Sequence, residues 1–290
     1  MGAGSQKVSI YLNPLVERLT RRGRWPSVRA ALWLAFGLGL AGLAVTTLAT
    51  LRMESDQLDL SSTILLALAW LVTILSPPIT SIVAIILVSR DASSEMYELL
   101  HLTTLSEAVL VKGYVFATLH RVRVLLALLV GLMPALAVGM VQVSILVAVI
   151  FYSMMLNYSA YLQDELYRIS SGIDPAYVTG PALACMAIAI GLWGLNWPAA
   201  ALGVGLALRW RGRVIVTIIA PMVTLLVTLL IAISLSVLVM LLTSDDMSRS
   251  YWGQPYYGAI MLAISLFALL APYALGAGMT RLAQRWAREP

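Results

Sequence analysis

The chain has 290 residues, 60% of them hydrophobic and 11% charged, with a mean hydropathy of +0.89 and a formal net charge of +5. A soluble domain carries about 25% charged residues, so this composition excludes an ordinary soluble fold. Apolar runs of about 20 residues recur, the length a helix needs to cross hydrocarbon, and they are continuous rather than alternating, which selects helices over a closed barrel. The expected fold is all-α: a polytopic helical membrane protein. Its positive charge falls between the apolar runs and in short tails, which points to membrane topology rather than to nucleic acid.

Residues 1–27 are polar and basic, with no short apolar core and no small-residue cleavage site, so no removable signal peptide is expected. MGAGSQ imitates a myristoylation start but has Gln6 where Ser or Thr is required. Asn13 can cap a helix and Pro14 suits its first position. PLVERLTRRGRW then reads as a short helix with Leu15 and Leu19 on one face and Arg18, Arg21 and Arg22 on the others, lying in the membrane interface. The expected organisation is this interfacial N-terminal segment (1–27), a helical bundle over 28–282 with a polar elbow at 90–117, and a cytoplasmic tail at 283–290.

Apolar stretches fall near 28–50, 62–89, 118–138, 142–163, 178–194, 197–209, 213–243 and 257–280. The pair 178–194 and 197–209 is broken by Asn196-Trp197-Pro198, and its second member is too short to cross, so it reads as a hairpin that does not fully span. The expected count is therefore six to eight. With eight passages and the N-terminus inside, seventeen Lys and Arg residues fall inside and only Arg52 and Arg249 outside. That bias places both termini in the cytoplasm. A single long crossing over 178–209 would reverse the side of Arg209, Arg211 and Arg213, and the charge bias disfavours it.

Trp193, Trp197, Tyr251, Trp252, Tyr256 and Tyr257 fall at expected outer boundaries, and Trp25, Trp210 and Trp286 at inner ones. This is the belt that rings with a polar edge form at headgroup level. Gly37 with Ala41, and Ala274 with Gly278, are small residues four apart, a spacing that lets helices approach closely. Pro77-Pro78 removes two backbone donors in the middle of the second stretch and makes a candidate hinge.

The spans carry no Asp, Glu, Lys, Arg or His over 30–51, 60–89, 124–163, 178–208, 214–244 and 250–280. Ion-coupled transporters place ionisable groups at mid-membrane and voltage sensors need arginine rows. A membrane dihaem protein needs histidines inside its helices, and here the only two are His101 and His120, both outside the apolar cores. Neither histidine is expected to hold a metal, and Cys185 stands alone in an apolar run. No nucleotide-binding, metalloprotease or nucleophile-elbow motif is present. The chain reads as non-enzymatic and without a cofactor of its own, so energy for any uphill transport would have to come from a partner.

The elbow between the second and third stretches is amphipathic. In SSEMYELLHL (93–102), Met96, Leu99, Leu100 and then Thr103 share one face, while Glu95, Glu98 and His101 lie elsewhere. Thr104-Leu105-Ser106-Glu107 has the spacing of a capping box, so a new helix is expected to start there and run on into the third span.

NPLVERLTRRGRW before the first span and YELLHLTTLSEAVLVKG before the third resemble permease subunits of type-2 ATP-binding-cassette (ABC) transporters. That family carries Asn-Pro and an Arg-rich helix first, then Glu-x-Leu-Leu, Thr-Pro-Leu-Ser and a Gly-Lys pair. Glu98, Leu99, Leu100, Thr103, Leu105, Ser106, Lys112 and Gly113 follow that order with the last pair reversed. Thr104 stands where the family has Pro, and Glu95-Met96 where Gly-Thr is common.

The resemblance implies a connecting helix at 13–24 and a coupling helix around 94–105 that docks on a separate ATPase through Glu95, Glu98, Leu99, Leu100, Thr103, Thr104, Leu105, Ser106 and Glu107. It further implies ATP and Mg on that partner, a second permease chain as homodimer or heterodimer partner, and a bacterial-type inner membrane. A charge-free bundle suits an exporter of lipid, amphipathic cargo or peptide. The alternative is a non-transporting structural or assembly subunit of a larger membrane complex, holding lipid, quinone or pigment. A secondary transporter or membrane enzyme fits the empty midplane least. Asn157 and Tyr158, with Pro77 and Pro78, are candidates to face a pathway, although polar residues in bundles more often bond across helices.

Overall fold

The computed structural model describes Val16 and residues 27–51, 60–92, 106–136, 175–210, 214–243 and 255–288. Nearly all of these residues are helical and none forms a strand. The helices are α1 (Val28–Leu51), α2 (Leu60–Ala92), α3 (Glu107–Arg121), α4 (Arg123–Leu136), α5 (Pro175–Gly194), α6 (Asn196–Arg209), α7 (Val214–Thr243) and α8 (Pro255–Arg288).

Among the described residues four stretches are long and apolar enough to cross a membrane: Ile64–Asp91, Ala184–Arg209, Val214–Ser234 and Leu262–Arg288. The pair α3–α4, bent by 61°, makes a fifth if taken as one span, and α1 adds the shorter apolar stretch Val28–Ala44. The expected span at 142–163 lies outside the described residues.

The hairpin expected at 178–209 does not form. The chain departs from helix only at Leu195, whose backbone stays right-handed (φ −63°, ψ −15°), and Ala184–Arg209 reads through as one apolar stretch of 26 residues. At about 1.5 Å per residue this is about 39 Å, more than the ~30 Å of a hydrocarbon core. Pro198 falls in the first turn of α6, where a missing N–H is tolerated. The proline therefore marks a helix start and does not reverse the chain.

The long helix α5–α6 lies between α2 and α8 and runs parallel to both. Positions rise together along α8: Gly194 meets Pro272, Gly276 meets the Trp197 ring and Gly205 meets Ala283. They rise together along α2 as well, Asn196 meeting Thr80 and Gly203 meeting Ser81 and Ala84. Arg209 accordingly shares an end of the bundle with Arg90 and Arg288, although α5–α6 passes only once. The conflict between one crossing and the charge bias disappears because α5 starts from the far end, where α4 finishes: Leu132 and Leu136 pack with Cys185, Ile188 and Ala189.

Among the described residues two large apolar cores form, with a small one of Ala31, Ala35 and Ala127 between α1 and α4. The large one at the basic end joins Ala84, Ile85, Leu87 and Val88 of α2, Leu110, Val111, Tyr114, Val115 and Ala117 of α3, Ala200, Ala201, Val204 and Leu206–Leu208 of α6, Val216 and Ala220 of α7 and Ala283 of α8. The far one joins Ala69, Leu136, Ile188, Leu192, Ala232 and Ala268. Helices surrounded by lipid gain little from apolar burial alone and associate through close packing of small residues. A Cβ on Gly203 would lie 2.6 Å from the Ser81 carbonyl oxygen, and one on Gly276 would lie 2.7 Å from the Trp197 ring.

The small residues picked out by spacing are not the ones that pack. A Cβ on Gly37 or on Gly278 meets nothing within 4 Å, and their companions Ala41 and Ala274 are exposed. Gly203→Ala should cost about 1–3 kcal/mol through overpacking, whereas Gly278→Ala should leave the melting temperature unchanged or raise it. Thermal unfolding of the two variants in detergent, followed by tryptophan emission, checks the contrast.

Candidate functional site

Of the stretch expected to dock a partner, Ser106 and Glu107 are described. Glu95, Glu98, Leu99, Leu100, Thr103, Thr104 and Leu105 lie outside the described residues, as do Asn13, Pro14, Arg18, Arg21, Arg22, Asn157 and Tyr158. Val16, in the expected interfacial helix, is helical and buried.

The helix after the elbow starts later than the capping box places it. Ser106 is the N-cap, extended at φ −66°, ψ 144°, and its side chain makes no capping bond. Its carbonyl accepts from the backbone N–H groups of Val109 at 2.8 Å and Leu110 at 3.1 Å. Glu107 opens the helix, where a carboxylate favours the exposed N–H groups. Its Oε2 accepts from Arg288 Nε at 3.0 Å. Arg288 is 67% exposed and Glu107 35%, so solvent screens this pair to at most about 1 kcal/mol. Its importance is positional, since it ties the end of α8 to the start of α3.

From there α3 passes over the basic end of the bundle. Leu110, Val111, Tyr114, Val115 and Ala117 are buried in the core that gathers the last turns of α2 and α6, the first turns of α7, and Ala283 of α8. Tyr114 is fully buried, and its hydroxyl donates to Oδ2 of Asp91 at 3.0 Å; Asp91 itself is only 5% exposed. At the far end of α3, Arg121 lies within the electrostatic reach of Arg90 and Asp91.

The expectation of one helix running on into the third span fails at Val122, which bends the chain by 61°. Across the bend, Arg123 Nη1 donates to Nε2 of His120 at 2.7 Å, which requires a neutral imidazole. The His120 ring also stacks on Phe116. Among the described residues no three His, Cys, Asp or Glu side chains gather as a metal site would need. On the other flank of the same end, the Arg209 guanidinium sits 5.8 Å from the centre of the Trp286 ring.

Pro77 and Pro78 are buried in the middle of α2, which continues as helix through both. Pro77 cannot bond the Thr73 carbonyl, and Ser76 Oγ donates to that oxygen instead, at 3.2 Å. Sequence spacing missed what faces them. Asn196, read there only as part of a break, is 2% exposed and links two helices. Its Oδ1 accepts from Thr80 Oγ1 at 2.7 Å, and its Nδ2 donates to Ser76 Oγ at 3.2 Å and to the Trp193 carbonyl at 2.8 Å. Thr80 also lies 2.9 Å from the Ser76 carbonyl, so its single proton is shared. A lone amide inside an apolar run was the available signal.

No family model, curated protein or solved structure matches the chain.

Two bonds at the basic end separate by burial. Tyr114→Phe removes a donor to a buried carboxylate and should lower stability by about 1.5–3 kcal/mol. Arg288→Gln, at a screened pair, should change it by less than about 1 kcal/mol. Denaturation of both variants in one detergent tests the difference.

Proposed function

We propose that the chain is the membrane-spanning permease subunit of an ABC-type exporter, energised by a separate ATPase that docks on the elbow leading into α3. The observation that carries this reading is the placement of α3. It follows the elbow directly and packs on α2, α6 and α8. A load applied to the elbow therefore reaches three helices at once, which is what a coupling device requires. The resemblance of 94–107 to the family's coupling helix supports the same assignment. ATP and Mg belong to the partner.

The topology that goes with this reading has the basic end, and both termini, in the cytoplasm of a bacterial-type inner membrane. Arg90, Lys112, Arg209, Arg281, Arg285 and Arg288 then satisfy the positive-inside rule. Of the described helices, α1, α2, α4, α5–α6, α7 and α8 are the crossings in this topology.

The alternative, a non-transporting assembly subunit, draws on the outer face of α7. Ile215, Ile218, Met222, Leu226, Leu230 and Ile233 form one exposed apolar stripe along it. The stripe serves a second permease copy, lipid or a larger membrane assembly equally well.

Gentle purification of the native complex with mass spectrometry of its components decides between them. A stoichiometric ATPase subunit supports the exporter; unrelated membrane subunits without an ATPase support the alternative. For topology, cysteines replacing Arg90, Arg209 and Arg288 should resist an impermeant maleimide in intact cells and all react in inverted vesicles. Reaction of any one of them from outside contradicts the arrangement.

A further inference from the structure

The buried hydroxyl and amide side chains of the spans gather at one level, and that level is rich in proline. Pro77 and Pro78 stand at the middle of α2 and Pro272 at the middle of α8, Asn196 and Pro198 open α6, and Thr224 on α7 lies one turn from Pro221. Contacts place the positions on α2, α5–α6 and α8 side by side. Asn196 bonds Ser76 and Thr80, a Cβ on Gly194 would lie 3.0 Å from Pro272, and Trp197 packs on Gly276 and edge-on to Tyr273. On α7, Val216 and Ala220 belong to the basic-end core and Ala232 to the far one, so Thr224 and Thr228 fall between. Pro134 and Pro181 stand apart, toward the far end.

At this level side chains hold much of the backbone. Each interior proline deprives the carbonyl four residues earlier of its N–H partner. Ser76 covers Thr73, the carbonyl that Pro77 leaves, and Asn196 donates to the Trp193 carbonyl. Ser81 and Thr224 donate to the Pro78 and Pro221 carbonyls, at 2.8 and 3.0 Å. Thr228 and Thr280 donate to the carbonyls of Thr224 and Gly276, both at 2.7 Å. Hydroxyl back-bonding of this kind bends helices, and missing ladder bonds localise a kink. Above and below the belt the helices are tied into separate cores.

We propose that the midplane belt is a hinge. The basic half of the bundle moves as one body against the far half, and the Asn196–Ser76–Thr80 cluster is the pivot that keeps α2 and α6 in register. Three helices weakened at neighbouring positions bend together, whereas a single proline kink would bend one helix alone. The hinge does not depend on the exporter reading, because it describes what the bundle does under any load on its basic end.

Double electron–electron resonance on the full chain in lipid nanodiscs tests it, in a Cys185→Ala background. Spin labels go on exposed positions: Ile86 with Arg285 within the basic half, Leu68 with Leu266 within the far half, and Leu68 with Arg285 across the belt. Each within-half pair should give a single narrow distance, and the cross-belt pair two populations. Restoring three backbone donors with Pro78→Ala, Pro221→Ala and Pro272→Ala should abolish the second population while circular dichroism keeps its helical signal. A single narrow cross-belt distance in the unaltered protein overturns the hinge. Equal broadening of all three pairs overturns it too, since the bundle would then be loose throughout.

Discussion

A peptide group in hydrocarbon has no water to bond, so every carbonyl that loses its helical partner must find another inside the protein. Three of the described helices, α2, α7 and α8, carry an interior proline, and the rest of the bundle is arranged round that constraint. Ser76 takes up the Thr73 carbonyl that Pro77 leaves, and further hydroxyls and one asparagine amide donate to carbonyls nearby. Because those side chains are short, the helices that share them must lie close. The packing glycines of α5–α6 and α8 make that approach possible, and the contact of Gly203 with the Ser81 backbone is its tightest expression on the α2 side.

The same arrangement explains why the two ends differ chemically. Away from the polar belt, packing is mostly apolar, and charged residues collect where the chain leaves the bundle at the ends of α2, α6 and α8. There α3 closes the end. It is held by Tyr114 reaching the buried Asp91 on one helix and by Glu107 meeting Arg288 on another. A short helix fastened to several long ones transmits displacement better than a loop would, which is the physical content of the coupling role proposed for the segment that feeds it.

Much of this architecture was legible in the sequence. Hydrophobic runs located the helices because length and composition decide that matter in lipid, and the Lys and Arg bias marked one end. The interruption at Asn196-Trp197-Pro198 was also visible. Its meaning was not, because a proline that breaks a helix and a proline that opens the next turn of a nearly straight one look alike without the neighbouring backbone. Gly37 and Gly203 were equally indistinguishable. Lipid and protein are both apolar, so periodicity does not say which face of a membrane helix packs on protein. The start of α3 lies at Ser106 rather than Thr104, and there the Glu107 carboxylate is engaged with Arg288, a partner 181 residues away.

The most direct test of the coupling role is photo-cross-linking from the basic end in native membranes. A benzophenone amino acid at Lys112, which is exposed on α3 a little over a turn beyond Glu107, samples whatever sits against that surface. A coupling role for the elbow predicts a cross-link to a soluble subunit that binds ATP. Cross-links confined to lipid and to integral membrane chains would contradict it and leave α3 as a seal on the end of the bundle.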